Sequence, residues 1–382
     1  MKIINLSSIA NPISISVQNP SRSDYDRFIG LEHYDSGEPV ITRFQGTELL
    51  TTSAKAFKAN DILIARRNVY LKRAGIVFFD GITSGDSIIL RLKEDTQKTI
   101  GYSREDLIRY IPFMLNSEHF WIYANKHADG MNSKRISKDT LLEYEFELPS
   151  IDEMRDISDK LWAAYRLKEA YKKLLVTTDE MVKSQFIEMY YNTHNKQTLE
   201  SVCPIMNKGI TPKYVESSSV LVINQACIHW DGQRLGNIKY HNEETPVRKR
   251  ILESGDVLLN ATGNGTLGRC CVFICPSDNN TYINDGHVIA LSTDRAVILP
   301  EVLNTYLSLN DTQAEIYRQY VTGSTNQVDI VFSDIKKMKV PVPSMDEQIL
   351  FVEVLTQADK SEFELRKSIE AIDQVIKSLI NN

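Results

Sequence analysis

The sequence predicts an α+β protein made of two mixed α/β domains, each followed by one long helix. Three observations predict it. The chain has 382 residues, whereas single cores stop growing near roughly 250–300 residues. Its two halves repeat each other. Each half also ends in a stretch whose apolar residues alternate at spacings of three and four, with no Gly or Pro inside.

The duplication is read from aligned segments. Leu148, Pro149, Ser150, Ile151, Asp152 and Glu153 match Val342, Pro343, Ser344, Met345, Asp346 and Glu347 at an offset of 194. That offset continues without a gap to Asp179, Lys183 and Ser184 against Asp373, Lys377 and Ser378. Upstream, Asp61-Ile62-Leu63 matches Asp256-Val257-Leu258 at 195, and Leu71-Lys72-Arg73 matches Leu267-Gly268-Arg269 at 196. Repeats on this scale describe a doubled architecture. They divide the chain into a first domain at 1–149, a helix at 150–197, a second domain at 198–343 and a helix at 344–382.

Each helix has a start signal. Ser150 and Ser344 are N-cap candidates, and acidic residues follow in the first turn, where the helix dipole favours them. In the second helix Leu355, Ala358, Leu365, Ile369, Ile372, Ile376 and Leu379 form a seam. In the first, Leu161, Ala164, Tyr171, Leu175 and Val182 repeat it, with Lys168 and Thr178 at intervening positions. A stretch of about 38 residues spans roughly 57 Å at 1.5 Å per residue. Seams this long call for a helical partner; the bland alternative is two amphipathic helices packed on their own domains.

The domains read as short strands bounded by Gly, Asp or Asn, at Asp61–Ala65, Ala74–Phe79, Ser87–Leu92, Val220–Asn224, Asp256–Asn260, Arg269–Ile274 and His287–Leu291. Helical stretches near 103–118 and 300–320 interrupt them.

Composition limits the function. Hydrophobic residues make up 42% and charged residues 25%, a globular balance. The absence of a long apolar run argues against a membrane span or signal peptide, so the expected compartment is the cytoplasm. Five cysteines, four of them between Cys227 and Cys275, make a disulfide framework improbable. A net charge of −6 excludes a binder that lives on phosphate neutralisation alone, but not one with local basic patches. Residues 344–382 hold 8 Asp+Glu against 4 Lys+Arg, so the acidity collects in the last helix.

Gly263, Gly265 and Gly268 satisfy GxGxxG, yet a strand candidate rather than a helix follows, which makes the segment a hairpin loop instead of a nucleotide fingerprint. Asn264, Thr266 and Arg269 on that loop could reach a base edge or a phosphate. Arg66, Arg67, Asn68, Lys72 and Arg73 occupy the equivalent place in the first half. Arg and Lys suit guanine and phosphate, and Asn or Gln suits adenine; the competing reading is a solvated charged turn. A second reading surface is Asn132, Lys134 and Arg135, against Ser324, Thr325, Asn326 and Gln327 in the other half. Lys208, Thr211 and Lys213 join them at the front of the second domain. Cys270, Cys271 and Cys275, with Cys227, His229 and His241 upstream, have poor metal spacing, because adjacent strand residues point to opposite faces. No Walker loop, HExxH, nucleophile elbow or amino-methyltransferase tetrad occurs, so no catalytic residue is assigned.

In this order, the duplicated anchors LPSIDE and VPVPSMDEQ, Gly209 to Pro212, Gly255-Asp256, Gly268-Arg269, Gly323 to Gln327 and Val182 to Phe186 resemble the specificity subunits of type I restriction-modification systems, over essentially the whole chain. The first domain lacks the Gly-x-x-Pro element of residues 209–212. The resemblance implies two target-recognition domains, each reading half of a bipartite, asymmetric DNA site. It also implies that the helices pack antiparallel as a coiled-coil spacer and bind two modification (methyltransferase) subunits, which motor-nuclease subunits can join. Under it the chain has no chemistry or cofactor of its own; S-adenosylmethionine, ATP and Mg belong to the partner subunits. Two other readings compete: a coiled-coil interaction scaffold without a DNA role, and a nucleotide-dependent enzyme using residues 263–268.

Overall fold

A computed structural model describes residues 2–131, 133–191, 193–247, 249–324 and 327–381. The chain divides into two compact units. The first comprises Met1–Lys173 with Leu365–Asn382, and the second Leu174–Glu364, so that each long helix contributes one part to each unit.

In the first unit, Lys2–Asn5 pairs antiparallel with Glu145–Leu148, the strand that leads into the first long helix. An antiparallel sheet runs Ala10–Ile13, Ser87–Leu92, Ile62–Ala65, Ala74–Ile76. A second sheet runs Ile15–Val17, Ala54–Phe57, Gly81–Thr83, Phe28–Ile29, its last pair parallel. Ile62 and Ile64 enter one core, with Leu90, Leu107 and Phe120, while Leu63 and Ala65 enter another, with Phe57 and Ile89. A strand covered on both faces needs an unbroken apolar run, and this explains Ile62-Leu63-Ile64-Ala65.

The second unit repeats the plan. Lys196–Thr198 pairs with Lys339–Pro341, and a four-stranded sheet runs Ile205–Lys208, Val288–Ser292, Val257–Asn260, Cys270–Val272. The other sheet, Tyr214–Val215, Lys239–His241, Val220–Ile223, Thr281–Asn284, again closes on a parallel pair. Cys270 packs in one core and Cys271 in the other, the opposite facing expected of neighbours in a strand. Paired short helices complete each unit, Arg104–Met114 with Glu118–Lys126 and Pro300–Ser308 with Asn310–Gln319. The duplication also keeps the tight turn before the central strand. Asn60 and Gly255 both take positive φ (69° and 96°), and the next residue, Asp61 or Asp256, is buried. Asp61 accepts from Lys58 N at 2.8 Å, and Asp256 accepts from Glu253 N at 2.8 Å.

The long helices are Ile151–Phe186 and Met345–Asn381, of 36 and 37 residues. Both begin in a capping box. Ser150 N donates to Glu153 Oε2 at 3.0 Å while Glu153 N donates to Ser150 Oγ at 3.4 Å, and Ser344 with Glu347 does the same at 2.8 and 3.4 Å. The first helix ends in a π-helical turn, Ile187–Tyr191. Within the second unit Phe186 and Tyr190 pack on Phe351, with ring centroids 5.1 and 5.5 Å apart, so the end of one helix meets the start of the other. Within the first unit Lys168 meets Asp373 at 2.5 Å. Within the second unit Phe186 meets Phe351 while Tyr190, four residues on, donates to the Glu347 carbonyl, four residues back, so the two helix ends run antiparallel there. Of the seam residues, Leu161, Val182 and Ala358 are buried, and Ala164, Tyr171, Leu175, Leu355, Leu365, Ile369, Ile372, Ile376 and Leu379 are half-buried.

Candidate nucleic-acid interface

In the first unit the two basic segments, far apart in sequence, become one surface. Residue 67 forms an antiparallel bridge with residue 135, and Asn68 N donates to Lys134 O at 2.8 Å. Arg67 Nε donates to Ser133 Oγ at 2.9 Å, and Ser133 Oγ donates to Asn68 Oδ1 at 3.2 Å. The turn needs left-handed backbone at Asn68 (φ 53°) and Lys72 (φ 50°), and asparagine tolerates this better than most residues. Arg73 is committed to structure, since it donates to Leu31 O and Arg67 O at 3.0 Å each. Arg66 is half-buried, whereas Arg67, Lys72, Lys134 and Arg135 are exposed. Asn132 lies outside the described residues.

Two residues that sequence reading passed over belong to this surface. Asp86 lies 3.7 Å from Arg67 and 3.8 Å from Arg135 and moderates both charges. Lys55 donates to Gly85 O and Ser87 O at 3.0 Å each, and burial, with the nearby Arg66 charge, lowers its pKa. Neither carries a motif; both arrive through strand pairing.

The second unit builds the corresponding surface at the corresponding place. Residue 262 bridges residue 329, the same antiparallel contact as 67 with 135 at offsets of 195 and 194. The glycine segment is a hairpin loop between Val257–Asn260 and Cys270–Val272, which pair antiparallel. Gly263, Gly265 and Gly268 all have positive φ. Thr266 Oγ1 donates to Thr262 O at 3.1 Å; Asn264 is exposed, and Arg269 is half-buried. Lys208 is held by both oxygens of Asp329, at 2.8 and 2.7 Å. Gly209 is required because a Cβ there would lie 2.1 Å from the carbonyl oxygens of Asn284 and Asp285. Thr211 and Lys213 follow it, both exposed, and Lys213 N donates to His241 Nδ1 at 3.0 Å.

Ser324 and Gln327 form the last backbone pair of the hairpin Val321–Ser324 with Gln327–Ile330. Thr325 and Asn326 lie outside the described residues. Gln225, Thr262, His287 and Lys249 also converge here and were not expected from the sequence. Gln225 Nε2 donates to Thr262 O at 3.0 Å, Thr262 Oγ1 meets His287 Nδ1 at 2.9 Å, and Lys249 Nζ donates to Gly209 O at 2.8 Å.

Among the described residues no three His, Cys, Asp or Glu side chains are grouped to hold a metal ion. The surfaces offer cations, amides and hydroxyls on exposed loops supported by buried strands, which is the vocabulary of groove and phosphate contacts.

Residues 193–374 match the family model described as the type I restriction modification DNA specificity domain. No curated protein sequence matches the chain. A solved structure described as "Structural basis underlying complex assembly and conformational transition of the type I R-M system" shares the fold, with TM-score 0.59 and 15% identity over 99% of this chain and 96% of that one. The HsdS subunit from Thermoanaerobacter tengcongensis matches with TM-score 0.42 and 16% identity over 99% and 95% of the two chains. The type I restriction-modification S subunit from M. genitalium matches with 0.49 and 12% over 99% and 94%. The family match lies in the second half of the chain and stops short of half its length.

Proposed function

We propose that this chain is the DNA specificity subunit of a type I restriction-modification complex, in which each unit reads one half of a split, asymmetric site. The observation that carries the reading is the equivalent joining of two loops in both units, 67 to 135 and 262 to 329, with different side chains at each place. Equivalent scaffolds bearing different reading groups fit two different half-sites. On this reading the exposed Arg67, Lys134 and Arg135 supply phosphate and guanine contacts in the first unit, and the 262–269 loop does the corresponding work in the second.

The long helices are proposed to dock two methyltransferase subunits, with motor-nuclease subunits joining where the system restricts. The chain performs no bond chemistry itself; S-adenosylmethionine, ATP and Mg are assigned to its partners. No helix among the described residues is long and apolar enough to cross a membrane, and cytoplasmic placement beside the chromosome fits this role.

The test is co-expression with the neighbouring genes of its locus, followed by duplex binding at several salt concentrations. Co-purification of a methyltransferase, with binding that weakens steeply with salt and retains a sequence preference, supports the reading. A chain that purifies alone and binds no duplex contradicts it.

A further inference from the structure

The hydroxyl of Thr262 is the hub of a polar cluster whose hydrogen bonds fix which atoms face outward. Gln225 Nε2 donates to Thr262 O at 3.0 Å, and because a carbonyl can only accept, this contact sets the orientation of the amide. The same Nε2 donates to Thr262 Oγ1. Oγ1 keeps its proton and a second lone pair, and we take the arrangement in which that proton goes to His287 Nδ1, 2.9 Å away. Nδ1 is then the acceptor, and in the neutral ring the proton sits on Nε2.

The supports are rigid. His287 N donates to Oδ1 of the buried Asp285 at 2.9 Å, Ala261 N donates to His287 O at 2.8 Å, and Asn260 Nδ2 donates to Gln225 O at 3.2 Å. His287 is exposed, and its Nε2 has no hydrogen-bond partner among the described residues. Gln225 Oε1 likewise has none.

We infer that His287 and Gln225 are a base-reading pair of the second unit, presenting an Nε2–H donor and an Oε1 acceptor to an adenine of its half-site. In the major groove adenine alone sets an acceptor, N7, beside a donor, N6. Guanine shows two acceptors, cytosine a donor, and thymine an acceptor beside a methyl group. Thr262 is the positioning residue, because its hydroxyl holds His287 Nδ1 and leaves Nε2 facing outward. The inference rests on the DNA-reading role proposed above.

The test uses the complete complex and selects duplexes from a pool randomised in the second half-site. The wild type is expected to enrich adenine at one position. His287→Ala and Thr262→Val are expected to lose that preference by about tenfold, equivalent to about 1.4 kcal/mol, with the other positions and the first half-site unchanged. Thr262→Ser, which keeps the hydroxyl, is expected to behave as wild type. If Thr262→Val lowers the melting temperature of the complex, the exposed His287→Ala carries the comparison. Equal weakening on all sequences, or an unchanged selected sequence in His287→Ala, overturns the inference while leaving the specificity role standing. A wild-type complex that enriches no sequence overturns both.

Discussion

Lys168 of the first long helix lies within 2.5 Å of Asp373 on the second and within 2.7 Å of Glu38 in the loop before the first central strand. Its side chain is 9% exposed. A buried charge in a helix seam lowers stability in exchange for a fixed register, because any slip strands the ion without partners. Lys172 adds a second contact to Glu38 at 3.0 Å. Replacing Lys168 by Met is expected to cost about 2 kcal/mol, less than a wholly buried pair, because Lys172 still serves Glu38 and Asp373 is partly solvated. Adding Glu38→Gln should recover part of that loss. Denaturant unfolding of the single and double variants measures both.

The same site gives a pH dependence. Burial acts to raise the pKa of Glu38, but the hydrogen bonds and charges of Lys168 and Lys172 outweigh it and hold the carboxyl below its usual 4.5. A depressed folded pKa means that the unfolded chain binds more protons, so this stabilisation is present above pH 4.5 and is lost as pH falls through the folded value. The Lys168→Met variant should therefore lose less stability than wild type on acidification below that point, as read from unfolding midpoints.

Thiol chemistry should distinguish one cysteine from the rest. Burial pushes Cys203 and Cys271 up to about 12 and raises Cys227 and Cys270 as well. A thiol with pKa 12 is about one part in ten thousand thiolate at pH 8. Cys275 is the one partly exposed cysteine of the five. A native titration with an aromatic disulfide reagent is expected to show one fast group and to reach five only in denaturant. Several fast groups in the native chain would contradict the packing of the two sheets.

At the basic surface of the first unit, Asp86 stands 3.7 and 3.8 Å from Arg67 and Arg135. Asp86→Asn removes a negative charge from a face proposed to meet phosphate. It should tighten low-salt duplex binding by about fivefold, which corresponds to about 1 kcal/mol. Arg67→Ala and Arg135→Ala should each lower the salt slope by about one if they contact phosphate, and relax one base position if they read a base. Arg269→Ala in the second unit should cost about 1–3 kcal/mol on the specific site only, if it reads a base. Titrations at four salt concentrations separate these outcomes.

Ile369 and Ile372 are half-buried in the last helix. Glutamate at both positions should expose the helices to limited proteolysis while the domain cores keep their protection, because the lost burial is confined to the seam. Unchanged proteolysis and an unchanged melting curve would argue against the seam.

Much of the fold was legible because the repeat fixes two copies of each element at once. The Pro-Ser anchors with Glu153 and Glu347 mark helix starts by a local hydrogen-bond pattern, and local patterns survive in sequence. The strand at Ile62 to Ala65 was legible as an apolar run, but the two cores on its faces were not, since periodicity says nothing of what covers a strand. Lys168 looked like a polar interruption of a seam; its acid partners are 130 and 205 residues away. The basic loops were found by charge. The cluster of Gln225, Thr262 and His287 was missed because uncharged polar side chains leave no compositional trace and are joined only by tertiary pairing.

The most direct measurement of the central claim is a map of methylated bases in host DNA, with the chain present and with it deleted. The account predicts methylation at a split motif with two unlike halves that disappears on deletion. It also predicts that His287→Ala alters the second half alone, and that Arg67→Ala with Arg135→Ala alters the first alone. A methylation map unaffected by deletion would contradict it.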